Sequence, residues 1–240
     1  MQQIEQLKEY LKESKHTVFF GGAGVSTESG IPDFRSKDGL YNQKYDYPPE
    51  TIISHTFFVR NPDIFYRFYR EKMLWPDAQP NQAHLALAKL EAEGRLAAVI
   101  TQNIDGLHQA AGSRNVLELH GSVHRNYCQK CGRFYDLTAL MDMPGIPSCG
   151  CGGIVKPDVV LYEEGLDPDV MEKSIAQITK ADLLIVGGTS LAVYPAAGFL
   201  HYFRGRHLVL INKSSTPLDS SADLLISASI GGVLAKACQF

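Results

Sequence analysis

The sequence predicts an α/β protein built on a doubly wound parallel sheet, to which a smaller module and a helical insertion are added. Short apolar runs that end in glycine or small polar residues recur along the chain, as expected of buried parallel strands. An aromatic-rich segment and a cysteine-rich segment interrupt this alternation of strands and amphipathic stretches. The strand-like runs of the sheet cover residues 17–20, 96–100, 116–119, 182–186, 208–211 and 224–226.

Several stretches between these runs have the apolar periodicity of helices that pack on a sheet. The first covers about residues 4–11, with lysines and glutamates on its other face. A second covers residues 81–94, and two more cover residues 167–180 and 230–237. Helices between parallel strands are the crossover connections that a doubly wound sheet requires.

Composition and charge are those of an ordinary globular protein. The 240 residues are 45% hydrophobic and 20% charged, enough for one sizeable core and a small appended module. The net charge of -3 provides no basic field, so we expect no direct nucleic-acid partner. No run approaches about 18 apolar residues and the start lacks a signal-peptide core, so we expect a soluble cytoplasmic protein without membrane contact. The sequence leaves the oligomeric state open, with a monomer as the working expectation.

A glycine-rich turn follows the first strand at Gly22-Ala23-Gly24. Glycines let backbone N–H groups approach a pyrophosphate, and a helix that starts there adds partial positive charge, so the segment predicts an anion-binding site. The signal is weak by itself, because Thr27 stands where a third glycine is expected and no compact strand–helix–strand unit follows. A bare turn stays open as the alternative, and a hydride-transferring dehydrogenase is disfavoured.

Polar side chains follow two further strands of the predicted sheet. Gln102, Asn103 and Asp105 come directly after the run at 96–100, and His120 follows the run at 116–119. Open α/β sheets bind ligands at the carboxyl ends of their strands, so we expect these groups to lie together at a binding site. A histidine titrates near neutrality, which makes His120 the candidate general base.

The cysteines are concentrated in one segment. Cys128 and Cys131 form a CxxC pair, followed by the CxC pair Cys149 and Cys151. Four thiolates at this spacing can surround a tetrahedral Zn²⁺ in a closed, structural site. The shorter second pair requires a tighter backbone, which neighbouring glycines permit. Disulfide pairing is the alternative, and Cys238 is a leftover thiol that we expect to be buried.

Four long segments occur in a fixed order: GGAGVSTESGIPDFR at 21–35, TQNIDGLHQAAG at 101–112, ELHG at 118–121 and GGTSLAVYPAA at 187–197. With Asn212 and the two cysteine pairs, this set resembles the sirtuins, a family of NAD-dependent protein deacylases. The resemblance implies a Rossmann-like NAD-binding domain at 1–35, 80–122 and 158–240. It also implies a cofactor loop with a helical insertion at 36–79 and a zinc-binding module at 123–157, with one structural Zn²⁺ per chain.

The resemblance also implies roles for individual residues. His120 would be the catalytic base and Asn103 a second catalytic residue. The residues that would bind NAD are Gly22, Ala23, Gly24, Thr27, Asp33, Phe34, Arg35, Gln102, Asn103, Ile104, Asp105, Gly188, Thr189, Ser190, Asn212 and Ile230. Acetylated protein substrates would bind as extended peptides along Val159, Val160, Leu161, Tyr162 and Val193. The metal would be held by Cys128, Cys131, Cys149 and Cys151.

The implied reaction transfers the acetyl group of acetyl-lysine to ADP-ribose and releases nicotinamide and O-acetyl-ADP-ribose. A mono-ADP-ribosyltransferase needs the same nicotinamide cleavage, and a non-catalytic NAD-responsive binding module needs the same pocket, so both stay open. Sirtuins that remove succinyl groups carry Tyr-x-x-Arg in the helical insertion. Here Tyr66 is followed by Tyr69, and Arg70 lies about 100° away around a helix, so we expect plain deacetylation. We expect the other aromatic residues of the insertion to be core, and Glu163 and Glu164 to have no catalytic role.

Overall fold

The computed structural model describes residues 2–34, 39–42 and 45–238, which form two sheets with helices around them. The strands are β1 (Thr17–Gly21), β2 (Ala98–Thr101), β3 (Val116–Glu118), β4 (Gly121–Cys128), β5 (Phe134–Tyr135), β6 (Val155–Val159), β7 (Leu183–Gly187), β8 (His207–Ile211) and β9 (Leu224–Ile226). The α-helices are α1 (Gln2–Glu13), α2 (Pro49–Ile52), α3 (His55–Arg60), α4 (Pro62–Phe68), α5 (Gln82–Ala92), α6 (Leu107–Ala110), α7 (Leu137–Met141), α8 (Pro168–Lys180) and α9 (Ile230–Ala237). A π-helical turn, Tyr69–Met73, continues α4, and short 3₁₀ helices cover Ala23–Val25, Thr27–Ser29, Leu40–Asn42, Ala196–Tyr202 and Asp219–Ser221.

The larger sheet is parallel throughout and has the strand order β3-β2-β1-β7-β8-β9. From β1 the chain adds β2 and β3 on one side of the sheet, and from β7 it adds β8 and β9 on the other side. The carboxyl ends of these two strands are level, because Gly21 of β1 pairs with Gly187 of β7. The order reverses between them, which makes this point the place where such sheets bind ligands. The predicted doubly wound sheet is confirmed.

Helices cover both faces of this sheet, which explains why its central strands are continuous apolar runs. Every residue of β1 is buried. Phe19 packs on one face with residues of α1, α5 and α9, and Phe20 packs on the other with Ile178 of α8 and Leu200. Side chains satisfy the free N–H groups at the start of some of these helices: Asp167, for example, accepts from the backbone of the first turn of α8.

The smaller sheet is antiparallel, with the order β5-β4-β6. β4 was not predicted. The sequence predicts a strand over residues 155–161, and β6 begins there at Val155 but ends at Val159. The boundaries predicted at 122/123 and 157/158 fall inside β4 and β6, both of which belong to the antiparallel sheet. The chain leaves the parallel sheet earlier, between β3 and β4. The division into domains itself stays a prediction.

The helical insertion supplies the aromatic core of this smaller unit. The side chains of Phe57, Phe58, Phe65, Tyr66, Phe68 and Tyr69 are all buried in one cluster with Cys128 and Val155. The hydroxyl of Tyr66 donates to the carbonyl of Val155 on β6, which ties the insertion to the sheet. The prediction that these aromatic residues are core is confirmed.

One local expectation is wrong. In the described segment that directly follows β1, residues 22–34, the chain forms two 3₁₀ helices instead of the expected α-helix. The carbonyl of Val25 accepts from the side chain of Asn81 at 2.8 Å, and the N–H of Gly24 donates to Gly188 at 2.8 Å. Backbone groups that a helix would use internally are thus bonded to α5 and to the turn after β7.

Candidate functional site

A cavity of about 460 Å³ lies at the carboxyl ends of β1, β2, β7 and β8. The structure brings most of the predicted residues to its walls: Gly22, Ala23, Gly24, Asp33, Phe34, Gln102, Asn103, Ile104, Asp105, His120, Val159, Val160, Leu161, Tyr162, Gly188, Thr189, Ser190, Val193 and Asn212. Arg35 lies outside the described residues. Thr27 and Ile230 are not on the walls: the Thr27 hydroxyl donates to the carbonyl of Gly24, and Ile230 is buried against Gly187.

The glycine turns after β1 and β7 pack directly against each other. A Cβ at Gly24 would lie 2.8 Å from Gly188 Cα, and a Cβ at Gly22 would lie 2.8 Å from Thr189 Cβ. Gly188 has a φ of +60°, and a Cβ there would lie 2.4 Å from the nitrogen of Val25. Glycine is therefore required at these positions for two backbone turns to meet. Such a cradle of close backbone at the switch point can accept a pyrophosphate.

A hydrogen-bonded chain of polar side chains forms the floor of the cavity. Asn103 Nδ2 donates to Ser26 Oγ at 2.9 Å, and the Ser26 hydroxyl donates to Asp105 Oδ2 at 2.6 Å. The other oxygen of Asp105 accepts from the N–H of Leu107 at 2.9 Å, which holds the carboxylate at the start of α6. Ser26 was not predicted from the sequence, although it lies within the glycine-rich segment. Its burial and its hydrogen bonds to two predicted residues identify it in the structure.

Gln102 connects the two halves of the cavity. Its Nε2 donates to Thr189 Oγ1 at 3.1 Å, and its backbone N–H donates to Gly21 at 3.0 Å. Its backbone carbonyl lies 2.9 Å from Nδ1 of His120. The end of β2 thereby sets the position of the β7 turn and of the histidine.

His120 is oriented as a base. A carbonyl can only accept, so Nδ1 of His120 carries the proton in its bond to Gln102, and Nε2 of the neutral ring is left with a free lone pair. Burial lowers the pKa of His120, partly opposed by the hydrogen bond to the Gln102 carbonyl. The neutral, proton-accepting form therefore predominates at neutral pH.

Two other histidines, His84 and His108, do not line the cavity. The rings of His84 and His108 are 4.7 Å apart, and both side chains are buried. Nδ1 of His84 accepts from the N–H of Asn81 at 3.2 Å and so completes the cap of α5. Burial, followed by the proximity of His84, lowers the pKa of His108 to about 3. Both rings are packing groups that stay neutral at neutral pH.

The predicted peptide edge follows β6 and is fixed by charged residues. Glu164 accepts from the N–H of Leu161 at 2.9 Å, from Lys156 at 3.1 Å and from His55 at 2.8 Å. Although burial raises its pKa, these hydrogen bonds lower it overall. Glu163 accepts from the N–H of Thr56 at 2.8 Å. Both carboxylates thus hold the loop in place, in agreement with the non-catalytic role expected for them.

The helical insertion closes the far wall of the cavity. Lys72, Met73 and Trp75 line it, none of which the sequence analysis selected. They reach it because the chain passes from α4 into a π-helical turn, a local change that no periodic pattern reveals. Arg70 points elsewhere, because its guanidinium donates to the carbonyls of Met143 and Gly145.

Four sulfur atoms converge away from this cavity. Those of Cys128, Cys131, Cys149 and Cys151 all lie within 4.8 Å of one another, with the closest pairs at 3.4 Å and 3.6 Å. A tetrahedral Zn²⁺ with bonds of about 2.3 Å requires sulfur atoms about 3.8 Å apart, so the set fits the metal. The N–H of Cys151, followed by the hydroxyl of Tyr135, lowers the pKa of Cys149 to about 6, which favours the thiolate that a metal needs. None of these cysteines lines the cavity, as expected of a structural site.

Comparisons with known proteins agree with this geometry. The sequence model of the Sir2 family matches residues 22–195. The chain is 62% identical to an NAD-dependent protein deacetylase of Clostridium perfringens, with 97% of each chain covered. It is 60% identical to one of Clostridium acetobutylicum, with 98% of this chain and 97% of the relative covered.

Solved structures also match. A Sir2 structure with bound acetylated peptide superposes with a TM-score of 0.87 at 37% identity over 96% of this chain and 95% of the other. A Sir2 complex with a p53 peptide and NAD⁺ gives 0.86 at 39% identity over 96% and 95%. In the part of the chain that the structure describes, no helix is both long and apolar enough to span a bilayer. The match over most of the sequence, together with the folded site, shows that this chain belongs to the Sir2 family.

Proposed function

We propose that this protein is an NAD-dependent protein lysine deacetylase whose base is His120. The observation that carries the proposal is the orientation of the imidazole. Its Nδ1 is bonded to Gln102, while the ring lines the same cavity as the glycine turns and the peptide edge. A free basic nitrogen, an anion cradle and an extended edge in one cavity are what this reaction requires.

Different residues of the cavity would have different roles in binding NAD. The turns at Gly22–Gly24 and Gly188–Ser190 would bind the pyrophosphate, and Asn103 and Asp105 would bind ribose hydroxyls and the nicotinamide amide. Phe34 and Ile104 would exclude water from the ribose carbon that loses nicotinamide, because hydrolysis there would compete with the acetyl oxygen.

His120 would act after nicotinamide has left. The acetyl oxygen would by then have taken the place of nicotinamide on the ribose C1′. Nε2 of His120 would take the proton of the neighbouring ribose hydroxyl, whose oxygen would add to the acyl carbon and convert its C=N bond to a C–N bond. Water would then add to the same carbon while this C–N bond and the bond to the C1′ oxygen break, which would release free lysine and leave the acetyl group on the neighbouring ribose oxygen. The substrate would bind as an extended peptide along Val159 to Tyr162, through main-chain hydrogen bonds that tolerate many sequences. The four cysteines would hold one zinc ion that supports the fold.

Incubation with NAD and an acetyl-lysine peptide, followed by mass spectrometry, tests the proposal. We expect equal amounts of nicotinamide, free lysine and O-acetyl-ADP-ribose. Substitution His120→Ala should lower turnover by about 10²–10⁴-fold, the usual contribution of a general base, while NAD binding is retained. Transfer of labelled ADP-ribose to protein would indicate a mono-ADP-ribosyltransferase. Absence of nicotinamide release would indicate a binding module.

A further inference from the structure

A charged cluster joins the two sheets next to His120. Nε of Arg125 donates to Asp158 Oδ2 at 2.7 Å, and Nη1 donates to Glu118 Oε2 at 2.6 Å. Glu118 ends β3 in the parallel sheet, whereas Asp158 belongs to β6 in the antiparallel sheet. The guanidinium therefore spans the junction that separates the dinucleotide side of the molecule from the peptide side. The Glu118 side chain is only 10% exposed, so its charge is stabilised by Arg125 and by Gln109, whose Nε2 donates to Oε1 at 2.8 Å.

The turn enclosed by this cluster carries the imidazole. His120 and Gly121 follow Glu118, and the carbonyl of His120 accepts from the N–H of Val160 at 3.0 Å. Gly121 has a φ of +74°, and a Cβ there would lie 1.9 Å from the carbonyl oxygen of Asp158. The turn is thus pressed against β6, and the base and the start of the peptide edge are parts of one unit.

Arg125 reaches both carboxylates because β4 bulges. Pairing with β6 passes from Ser122 opposite Asp158 to Asn126 opposite Pro157, so residues 123–125 have no partners on β6. A bulge redirects side chains, and here it directs a guanidinium back over the turn. Nε2 of His124, in the same bulge, lies 3.0 Å from the carbonyl of Asp105 and so connects the bulge to the segment after β2.

We propose that Arg125 is a positioning residue that fixes the His120 imidazole relative to the bound peptide by holding Glu118 and Asp158 together. The inference rests on the proposed function, because positioning matters only if His120 acts on a peptide-derived group. Arg125 does not line the cavity. Its removal leaves the carboxylate of Glu118, two residues before His120, without its cation, which raises the pKa of the imidazole, and it releases β6 at the start of the peptide edge.

The test compares Arg125→Met with Arg125→Lys and with Arg114→Met, a control at an exposed arginine in the loop before β3. Arg125→Met should lower kcat by about tenfold or more, since displacement of a base by about 1 Å is sufficient for such a loss. It should also raise KM for the acetyl-lysine peptide and move the acid limb of the pH profile to higher pH. Arg125→Lys should show a smaller change in each quantity, because an ammonium restores the positive charge but cannot hold two carboxylates with the fixed planar donors of a guanidinium.

Titration of His120 by NMR gives a readout that needs no turnover. Arg125→Met should raise the imidazole pKa, and addition of Glu118→Gln should reverse that shift without restoring the peptide KM. The carboxylates that line the cavity, those of Asp33, Asp105, Glu163 and Glu164, are the same in every variant, so their effects cancel. If Arg125→Met does not fold, Arg125→Lys and Asp158→Asn provide the same comparisons.

An unchanged imidazole titration, together with kcat and KM within about twofold of Arg114→Met, would overturn the inference and leave Arg125 with a purely structural role. A wild-type protein that releases no nicotinamide would instead refute the proposed function. In that case the titration and the affinity for the acetyl-lysine peptide, measured by calorimetry, still decide whether Arg125 positions the turn.

Discussion

The buried histidine at position 108 makes stability depend on pH in a way that can be calculated. Its side chain is 1% exposed and neither ring nitrogen has a hydrogen-bond partner within the described part of the chain, so its folded pKa is lowered to about 3. The unfolded chain has the ordinary value of about 6.5. The unfolded state therefore binds a proton below that pH that the folded state does not bind. Stability is lost as the pH falls from about 6.5 towards 3.

The slope is about 1.4 kcal/mol per pH unit, so this one residue should cost about 2 kcal/mol between pH 7.5 and pH 5. We expect His108→Leu to reduce the pH dependence of the free energy of unfolding by that amount. Urea denaturation of both proteins at the two pH values measures it, and His201→Leu, at an exposed histidine, is the control. An equal pH dependence in wild type and His108→Leu would refute the reasoning, because His108 would then be charged or solvated in the folded state.

Three further predictions concern the metal, the anion cradle and the acyl group. Cys128→Ala should lose zinc and melt at a lower temperature, whereas Cys238→Ala should keep one zinc per chain; metal analysis of both decides whether the ligand set is correct. Gly24→Ala places a methyl group 2.8 Å from the opposing turn, so it should cost about 1–3 kcal/mol and weaken NAD binding in calorimetry; wild-type affinity would contradict the cradle. Arg70→Met should not change the ratio of kcat/KM for acetyl- and succinyl-lysine peptides, because that guanidinium is bound to carbonyls outside the cavity. Lys72→Met, which removes a cation on the cavity wall, is the comparison that should lower any succinyl turnover; a ratio changed by Arg70→Met alone would contradict this assignment.

The parallel sheet could be predicted because its strands are buried on both faces. A strand such as β1 then consists of consecutive apolar residues, and the polar residues that follow it mark the carboxyl end. The positions of Gln102 and His120 at strand ends can therefore be predicted from the sequence. The strand β4 could not be predicted, because the bulge at 123–125 interrupts the alternation of buried and exposed residues along it.

The residues that line the cavity also differ in whether the sequence alone predicts them. Positions that require a positive φ or close backbone contacts, such as Gly24 and Gly188, can be recognised in the sequence because only glycine fits there. Lys72 and Trp75 cannot be recognised as wall residues from the sequence, since their positions depend on the π-helical turn after α4. The sequence thus predicts the proposed dinucleotide half of the cavity more completely than the proposed acyl half.

The junction between the sheets explains why the sequence predicts His120 as the candidate base but does not predict the residues that hold it. His120 stands at the end of an apolar strand, which is a local signal, but the groups that hold the turn come from different strands. Asp158 and Val160 lie almost forty residues further along the chain, on or just after an antiparallel strand whose register is set by a bulge. Glu118, Arg125 and Asp158 have no recognisable spacing in the sequence, because they come together only after β4 and β6 pair. Where a catalytic residue lies between two sheets, its chemistry can therefore be predicted from one segment, whereas its precision depends on contacts that only the folded chain reveals.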